Sequence, residues 1–316
     1  MEFNEFTEIE NHYREKYLGI LREYGFDKVK WLALEKIHGA NFSFITDGKE
    51  LQVASRKQIV DRTFFRCGEV IDKYGDNVKD LKNIHYPNAK QIQVYGELFG
   101  PGMSGKIWYG TEREFMAFDI EVDGVVQNTG DVAGLLAHCK IPKAPTVGLF
   151  DSLDDALACD PVFVSKVIDV LYPEHIGVSE YELGENDAEG LVLKPVDPLY
   201  LPNDSRVMVK HKHPDFAEKL KRPKSKPSGL PNPWAPVAEQ YVNQNRLDAV
   251  LSKEGELTNK DFGRIVALMC EDVMKDMIKD EDLPADWKKH NEYKLAGKGV
   301  SLAVAKFLKE NLLHKL

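Results

Sequence analysis

In the first two thirds of the chain, apolar and polar residues alternate in short runs, the period of a half-buried strand. Phe42–Thr46 and Glu50–Ser55 flank Asp47-Gly48, a dipeptide suited to the positive φ of a tight hairpin. Phe115–Val122 and Val125–Gln127 repeat the device around Asp123-Gly124. Trp31–Glu35, Gln91–Leu98, Gly190–Val196 and Arg206–His211 are further β-rich runs. The intervening pattern predicts helices at Asn11–Tyr24, Asp131–Cys139, Ser152–Ala158 and Pro161–Leu171. Short strands with a few helices predict an α+β domain of antiparallel sheets.

The period changes towards the C-terminus. In Asp261–Lys279, the apolar residues Phe262, Ile265, Val266, Met269, Val273 and Met277 recur at three- and four-residue intervals. Leu302, Val304, Phe307, Leu308 and Leu312 mark a final helix. Such stripes are read as the buried faces of a small all-helical domain rather than as partner-binding faces. Between the two regimes lies RPKSKPSGLPNPWAP, residues 222–236, with five prolines and one glycine. Proline continues neither a helix nor a central strand, so this segment reads as a linker. The expected organisation is a domain at 1–221, a linker at 222–236 and a helical domain at 237–316.

Composition narrows the class. The chain has 316 residues, 43% hydrophobic and 29% charged, an ordinary globular balance. No apolar run is near the roughly 18 residues of a transmembrane helix. The acidic start MEFNEFTEIE has neither a basic n-region nor an apolar h-region, so the reading is a cytoplasmic protein without membrane attachment. Cys67, Cys139, Cys159 and Cys270 are scattered with no CxxC, which fits thiols in a reducing compartment and excludes a thiolate zinc site. The net charge of −9 argues against a basic nucleic-acid coat protein. It is unevenly spread: Arg206–Lys226 holds eight basic residues and two acidic ones, a basic strip on an otherwise acidic chain. A strip of this kind predicts few, concentrated phosphate contacts.

Candidate chemistry begins at Lys36, in Leu34-Glu35-Lys36-Ile37-His38-Gly39-Ala40-Asn41-Phe42. Lys-x-x-Gly is the spacing of a nucleotide-accepting lysine, but the chain holds five, starting at Lys16, Lys36, Lys226, Lys260 and Lys294. Lys36 differs in context: it ends a β-rich run and precedes a glycine turn, a rigid place from which to aim an amine. A lysine with the usual pKa of ~10.4 is neutral only about one time in a thousand at pH 7.4, so a nearby cation or burial must favour the neutral form. A triphosphate substrate needs cations, a metal needs carboxylates, and a purine needs an aromatic face. Each follows in order on a strand-like run. Tyr95-Gly96-Glu97 gives a carboxylate, Phe118-Asp119 an aromatic beside a carboxylate, and Glu189-Gly190 a carboxylate beside a glycine for close approach. Lys194 follows, and Lys210 and Lys212 share one face of a strand. Phe64-Phe65 either offers an aromatic face to a substrate or belongs to the core. His211 and His213 do not make a metal site, because zinc would be repelled by the neighbouring lysines.

This ordered set resembles the covalent nucleotidyltransferase superfamily of ATP-dependent ligases and capping enzymes. Within it the chain is most similar to the RNA ligase 2 family of T-even phages, which includes the kinetoplastid RNA-editing ligases. Glu-Lys-Ile-His-Gly-x-Asn-Phe carries the resemblance, with Asn11-His12-Tyr13 and, beyond the linker, Leu257–Gly263. The likeness past the linker favours the phage-type enzyme, so a phage-encoded protein acting in a host cytoplasm is expected. Ala40 departs from the threonine frequent in the family, a change small enough to preserve the backbone.

The resemblance implies an ATP-dependent RNA ligase. Lys36 would take AMP as a phosphoramidate and pass it to an RNA 5′-phosphate, and a 3′-OH would then displace AMP. His38 and Asn41 match positions facing the phosphate and the RNA ends, and Arg56 the arginine near the reacting phosphates. Glu35 and Ile37 flank the nucleophile in the nucleotide pocket. Glu97 matches the ribose contact, Phe118 the adenine-stacking ring, and Lys194, Lys210 and Lys212 the phosphate lysines. Glu189 matches the carboxylate tied to Mg²⁺ (or Mn²⁺) through water, and Asp119 is a weaker metal candidate. RNA contacts are expected at Phe64, Phe65, Arg206 and Arg264. The expected substrate is RNA with 3′-OH and 5′-phosphate ends, preferably a nick in duplex RNA, with no obligate protein partner. The rivals are a DNA ligase or GTP-dependent capping enzyme, disfavoured because a helical segment replaces the usual OB-fold, and an inactive RNA-end-binding paralogue.

Overall fold

The structure is a computed structural model that describes residues 1–103, 105–173, 186–219, 232–254, 261–283 and 293–311. It divides into two compact units, Met1–His213 and Pro214–Leu316. The division falls before residue 221, the expected end of the first domain. Residues 222–231 of the expected linker lie outside the described residues, and its last two residues, Ala235 and Pro236, already begin a helix.

The first unit contains two sheets. One has the order β1 (Glu10–Asn11), β11 (Val209–Lys212), β10 (Gly190–Pro195), β2 (Trp31–Glu35), β9 (Thr146–Phe150). The other runs β5 (Ile59–Val60), β4 (Leu51–Ser55), β3 (Ala40–Thr46), β6 (Ile92–Phe99), β7 (Glu114–Val122), β8 (Val125–Val126). All pairs are antiparallel except β1 with β11, which is parallel. Both predicted hairpins form. Asp47 Oδ1 accepts from the Lys49 and Glu50 N–H groups, each at 2.8 Å, and Gly48 takes φ 96°. Asp123 and Gly124 both have positive φ, as a two-residue turn matching strand twist requires.

The helices of this unit are α1 (Glu15–Glu23), α2 (Gly68–His85), α3 (Thr129–His138), α4 (Leu153–Leu157) and α5 (Val167–Leu171). Asn128 caps α3 through the Gly130 N–H, and Ser152 caps α4 through the Asp155 N–H. The predicted first helix began at Asn11; instead Asn11 pairs with Lys210 in β1, and the helix starts at Glu15. Pro161–Leu171 is helical only from Val167, because Ser165 and Ala188 exchange backbone bonds with Asn186 and Phe163 and hold 163–165 extended. The strand expected at Arg206–His211 is Val209–Lys212.

Helix α2 packs Val70, Tyr74, Val78 and Leu81 on the second sheet with Phe42, Phe44, Val94, Phe115 and Ile120. It was not predicted, since Gly68 and Gly75 interrupt its pattern. Gly75 has a packing reason: a Cβ there would lie 2.9 Å from Leu51 Cδ2, so the missing side chain admits the sheet. The first sheet packs Trp31, Ala33, Leu191, Leu193, Val207 and Val209 against Leu18, Leu21, Leu153 and Ala156.

The second unit is helical: α6 (Ala235–Glu239), α7 (Gln244–Glu254), α8 (Phe262–Lys279) and α9 (Tyr293–Asn311). Ile265, Met269, Val273 and Met277 of α8 are buried as their spacing predicts, against Val300, Val304 and Leu308 of α9. Leu312 and Leu257–Lys260 lie outside the described residues.

Candidate functional site

Three strand ends meet around one carboxylate. Lys36 follows β2, Glu189 precedes β10, and Lys212 ends β11. The antiparallel register sets Gly190 opposite Lys212 and Leu191 opposite Glu35, so Glu189 falls between both lysines. Its Oε2 lies 2.7 Å from Lys36 Nζ and 3.0 Å from His38 Nδ1, and its Oε1 lies 2.9 Å from Lys212 Nζ. The Lys36 N–H also donates to the Gly190 carbonyl at 2.8 Å, fixing the backbone of the lysine. Burial alone would raise the Glu189 carboxyl; Lys212, Lys36 and His38 outweigh it and hold it well below the usual range.

Gly190 makes this close approach possible. Its φ is +132°, and a Cβ there would lie 2.3 Å from the His211 carbonyl oxygen and 2.8 Å from Lys212 Cα. Gly39 acts similarly one turn beyond Lys36, where a Cβ would meet the Leu98 carbonyl at 2.2 Å.

Glu97 lies opposite Asn41 in the β3–β6 ladder. Desolvation raises its carboxyl to about 8, opposed by the Lys36 charge and reinforced by Glu189, with Arg56 also acting on it. Glu97, Lys36, Glu189 and Arg56 therefore form one electrostatic group. Arg56 is half-buried just beyond β4. Lys210 pairs with Asn11 on one side and Val192 on the other, and shares a strand face with Lys212.

Glu35 turns to other partners. Its carboxylate accepts from Ser165 Oγ at 2.6 Å and the Lys166 N–H at 2.8 Å, and burial raises it to about 7. Ile37 is buried. Phe118 is the extra residue of a β-bulge: Tyr95 pairs with Asp119 and Gly96 with Ala117. The bulge takes its ring out of the alternation that buries Phe115, Ala117 and Ile120. It packs instead on Phe6, 4.9 Å between centroids, and stays half-buried.

Asp119, Lys194 and Arg206 form a buried group of their own. Asp119 is 1% exposed, with Lys194 Nζ 2.8 Å from Oδ1 and the Arg206 guanidinium on both oxygens. Lys194 and Arg206 hold both oxygens of Asp119 in a buried ion-pair network. Arg206 is buried to 4%, so it presents no charge to RNA. Lys194 is buried to 1% and donates to Asp119 and the Phe118 carbonyl, behind the cluster rather than in it. Phe64 and Phe65 are half-buried against the core under α2, edge to face at 4.8 Å. Arg264 is exposed and pairs with Glu254 at 2.8 Å. Of the basic strip, Arg206 and Lys212 sit on buried carboxylates and Lys219 lies on Asp280 and Asp282, while 220–226 lie outside the described residues.

The structure adds residues that the sequence did not flag. The Tyr109 hydroxyl accepts the His38 N–H at 3.1 Å, and Ser165 holds Glu35. His12, of the Asn-His-Tyr motif, lies against His211, 4.0 Å between centroids. No spacing rule links such positions, because they are 71, 130 and 199 residues apart.

Two sheets hold a strand-end lysine against a buried carboxylate, with further lysines on the next strand. The comparisons make this particular. The RNA ligase family model matches residues 29–212, more than half of the chain, and a T4 RNA ligase 2 C-terminal model matches residues 236–306. The chain belongs to the RNA ligase family. It is 24% identical to the mitochondrial RNA-editing ligase 2 of Trypanosoma brucei brucei, covering 89% of this chain and 84% of that protein. It is also 24% identical to RNA-editing ligase 1 of the same organism, covering 83% and 73%. Similar solved structures include a Naegleria gruberi RNA ligase mutant with ATP and Mn, at 14% identity and TM-score 0.49, covering 68% of this chain. The chain spans a little over half, 58%, of that structure.

Proposed function

We propose that this chain is an ATP-dependent RNA ligase that joins 3′-OH and 5′-phosphate RNA ends, sealing nicks in duplex RNA as a repair reaction. The observation that carries the reading is Glu189, which gathers Lys36, His38 and Lys212 at three strand ends. The lysine is oriented by a carboxylate and by its own backbone, and the cations a triphosphate needs stand beside it.

In this reading the neutral Lys36 amine attacks the α-phosphorus of ATP. A P–N bond forms, the P–O bond to pyrophosphate breaks, and the lysine proton is lost to solvent. An RNA 5′-phosphate oxygen then attacks the same phosphorus, returning the lysine and giving a 5′–5′ adenylylated end. The 3′-OH finally attacks the RNA phosphate and releases AMP. Lys212 and Lys210 offset phosphate charge, and Asn41 and His38 orient the ends.

A divalent cation fits the donors present. Glu97 and Glu189 each feel the other's charge beside Lys36, and two carboxylates suit Mg²⁺, or Mn²⁺, held partly through water. Among the described residues no group of three or more His, Cys, Asp or Glu side chains could hold a metal, so water and phosphate oxygens would complete its shell. When bound, the cation would offset phosphate charge and favour the neutral lysine amine.

Covalent labelling with α-labelled ATP and Mg²⁺ tests the reading. Wild type should form a protein–AMP adduct that Lys36→Ala lacks, and unlabelled GTP should compete poorly. A labelled Lys36→Ala protein, or a wild type without adduct, would refute it. Nicked duplex RNA should be sealed in preference to nicked DNA and single-stranded RNA.

A further inference from the structure

We infer that Trp108, with Lys106 beside it, is a stacking platform for a nucleobase next to the reacting RNA ends. This rests on the RNA ligase reading above. The two residues lie in the connection between β6 and β7. Burial alternates there: Ile107 and Tyr109 are 5% and 1% exposed, whereas Lys106 is exposed and Trp108 is 51% exposed. Alternation puts Lys106 and Trp108 on the same, outward side.

A single exposed apolar side chain needs no explanation by itself. Trp108 differs in how its backbone is held. Its N–H donates to Asn186 Oδ1 at 2.8 Å, and its carbonyl accepts from Asn186 Nδ2 at 2.9 Å. Asn186 lies three residues before Glu189. The next residue, Tyr109, is buried edge to face on Phe99 at 5.0 Å, and its hydroxyl accepts the His38 N–H. The backbone that carries the indole is therefore tied to the chain bearing Glu189, and the next residue to His38. Trp31 is fully buried and Trp234 is half-buried, so Trp108 is the one described tryptophan with an open face.

A fixed, exposed ring with a lysine on the same side is the composition that binds nucleotides without reading sequence. The base stacks on the ring and the phosphate meets the cation. Because the backbone is already held, little ordering cost remains. A strand break interrupts base stacking, which leaves a base face available beside the ends that Lys36 and Glu189 would act on.

The test compares wild type, Trp108→Ala and Trp108→Phe on nicked duplex RNA, intact or with one abasic nucleotide at each position flanking the nick. Formation of the Lys36–AMP adduct should stay within about twofold in both variants, which also reports on folding. Trp108→Ala should bind the nick about tenfold more weakly, and Trp108→Phe should recover most of the loss. At one position the abasic nucleotide should weaken wild type as much as Trp108→Ala does, while costing Trp108→Ala nothing more. Unchanged binding by Trp108→Ala would overturn the inference, as would abasic penalties that add in full at every position. So would a Trp108→Phe variant no better than alanine. An adduct with any of these results sinks this inference alone; no adduct in wild type sinks the ligase reading as well.

Discussion

Arg206 grips Asp119 through two parallel hydrogen bonds, Nη1 to Oδ2 at 2.8 Å and Nη2 to Oδ1 at 2.9 Å. Both side chains are buried, and Lys194 reaches the same carboxylate. Burial pushes the Lys194 amine down to about 8, with Asp119 opposing the fall. The trio ties β7 to β10 and to the segment before β11, so it supports the strands that carry the reactive groups. Asp119→Ala strands two buried cations and should destabilise the protein by about 3–5 kcal/mol, read as a lowered denaturation midpoint. Arg206→Ala should also destabilise, yet leave the salt dependence of RNA binding unchanged, because a buried guanidinium releases no counterions from phosphate. A shallower salt slope in Arg206→Ala would contradict the buried role.

Stability should fall as pH rises from about 6.5 to 8. Glu97 and Glu35 have carboxyls raised to about 8 and about 7, so in that window the unfolded chain has already lost protons the folded chain keeps. Each raised carboxyl thus favours folding less as pH climbs towards its folded value. The opposing groups act only at the edges of that window. Asp119 and Glu189 are lowered, so both are ionised in both states. His211, pushed down to about 4, still differs between the states near pH 6.5, and Lys194, lowered to about 8, begins to lose its folded-state proton near pH 8; both offset part of the fall at those ends. Melting temperatures measured without nucleotide at constant ionic strength should drop across the window. Glu97→Gln should flatten most of the drop, and a slope unchanged by this substitution would rule the assignment out.

What was legible in the sequence had a local cause. Both hairpins followed from Asp-Gly pairs, and α8 from its three- and four-residue spacing. Lys36, Glu97, Glu189 and Lys212 were legible as candidates because each sits beside a glycine or in a recognisable block, and the fold brings them together. Helix α2 was missed because Gly75 reads as a breaker until Leu51 is seen against it. Asp119 and Arg206 were given the wrong partners for a related reason. Alternation predicts which face a side chain takes, but not whether an opposite charge waits there from 87 residues away. The long-range bonds of Tyr109, Ser165 and Asn186 have no sequence signal at all.

Gly190→Ala tests whether backbone closeness, and not only the side chains, builds the site. An added Cβ would lie 2.3 Å from the His211 carbonyl at a φ of +132°, so β10 and β11 must part. Parting them moves Glu189 from Lys212, and the Lys36 adduct should form at least tenfold more slowly. Gly263→Ala is the control, since nothing lies within 4 Å of its added Cβ. It should label as wild type and, as a change in the first turn of α8, leave stability within about 1 kcal/mol. Equal labelling by the two variants would mean that the Gly190 contact is dispensable.

Two arginines of the helical unit should separate holding the fold from holding RNA. Arg246 is fully buried; it pairs with Asp272, reaches Asp276 at 2.7 Å and lies over the Tyr241 ring at 5.9 Å. Removing it leaves carboxylates without their cation and a cavity under α8, a loss of about 3–5 kcal/mol. Arg264 is exposed and, among the described residues, pairs with Glu254, a surface pair worth about 0–1 kcal/mol. Arg264→Ala should therefore melt close to wild type, and, if this unit grips RNA there, should weaken nick binding and lower the salt slope by about one unit. Arg246→Ala should do the reverse, lowering the melting temperature of the full chain while leaving Lys36 labelling intact below that temperature. If Arg264→Ala binds nicked RNA as wild type does at every salt concentration, the helical unit does not grip RNA through this residue.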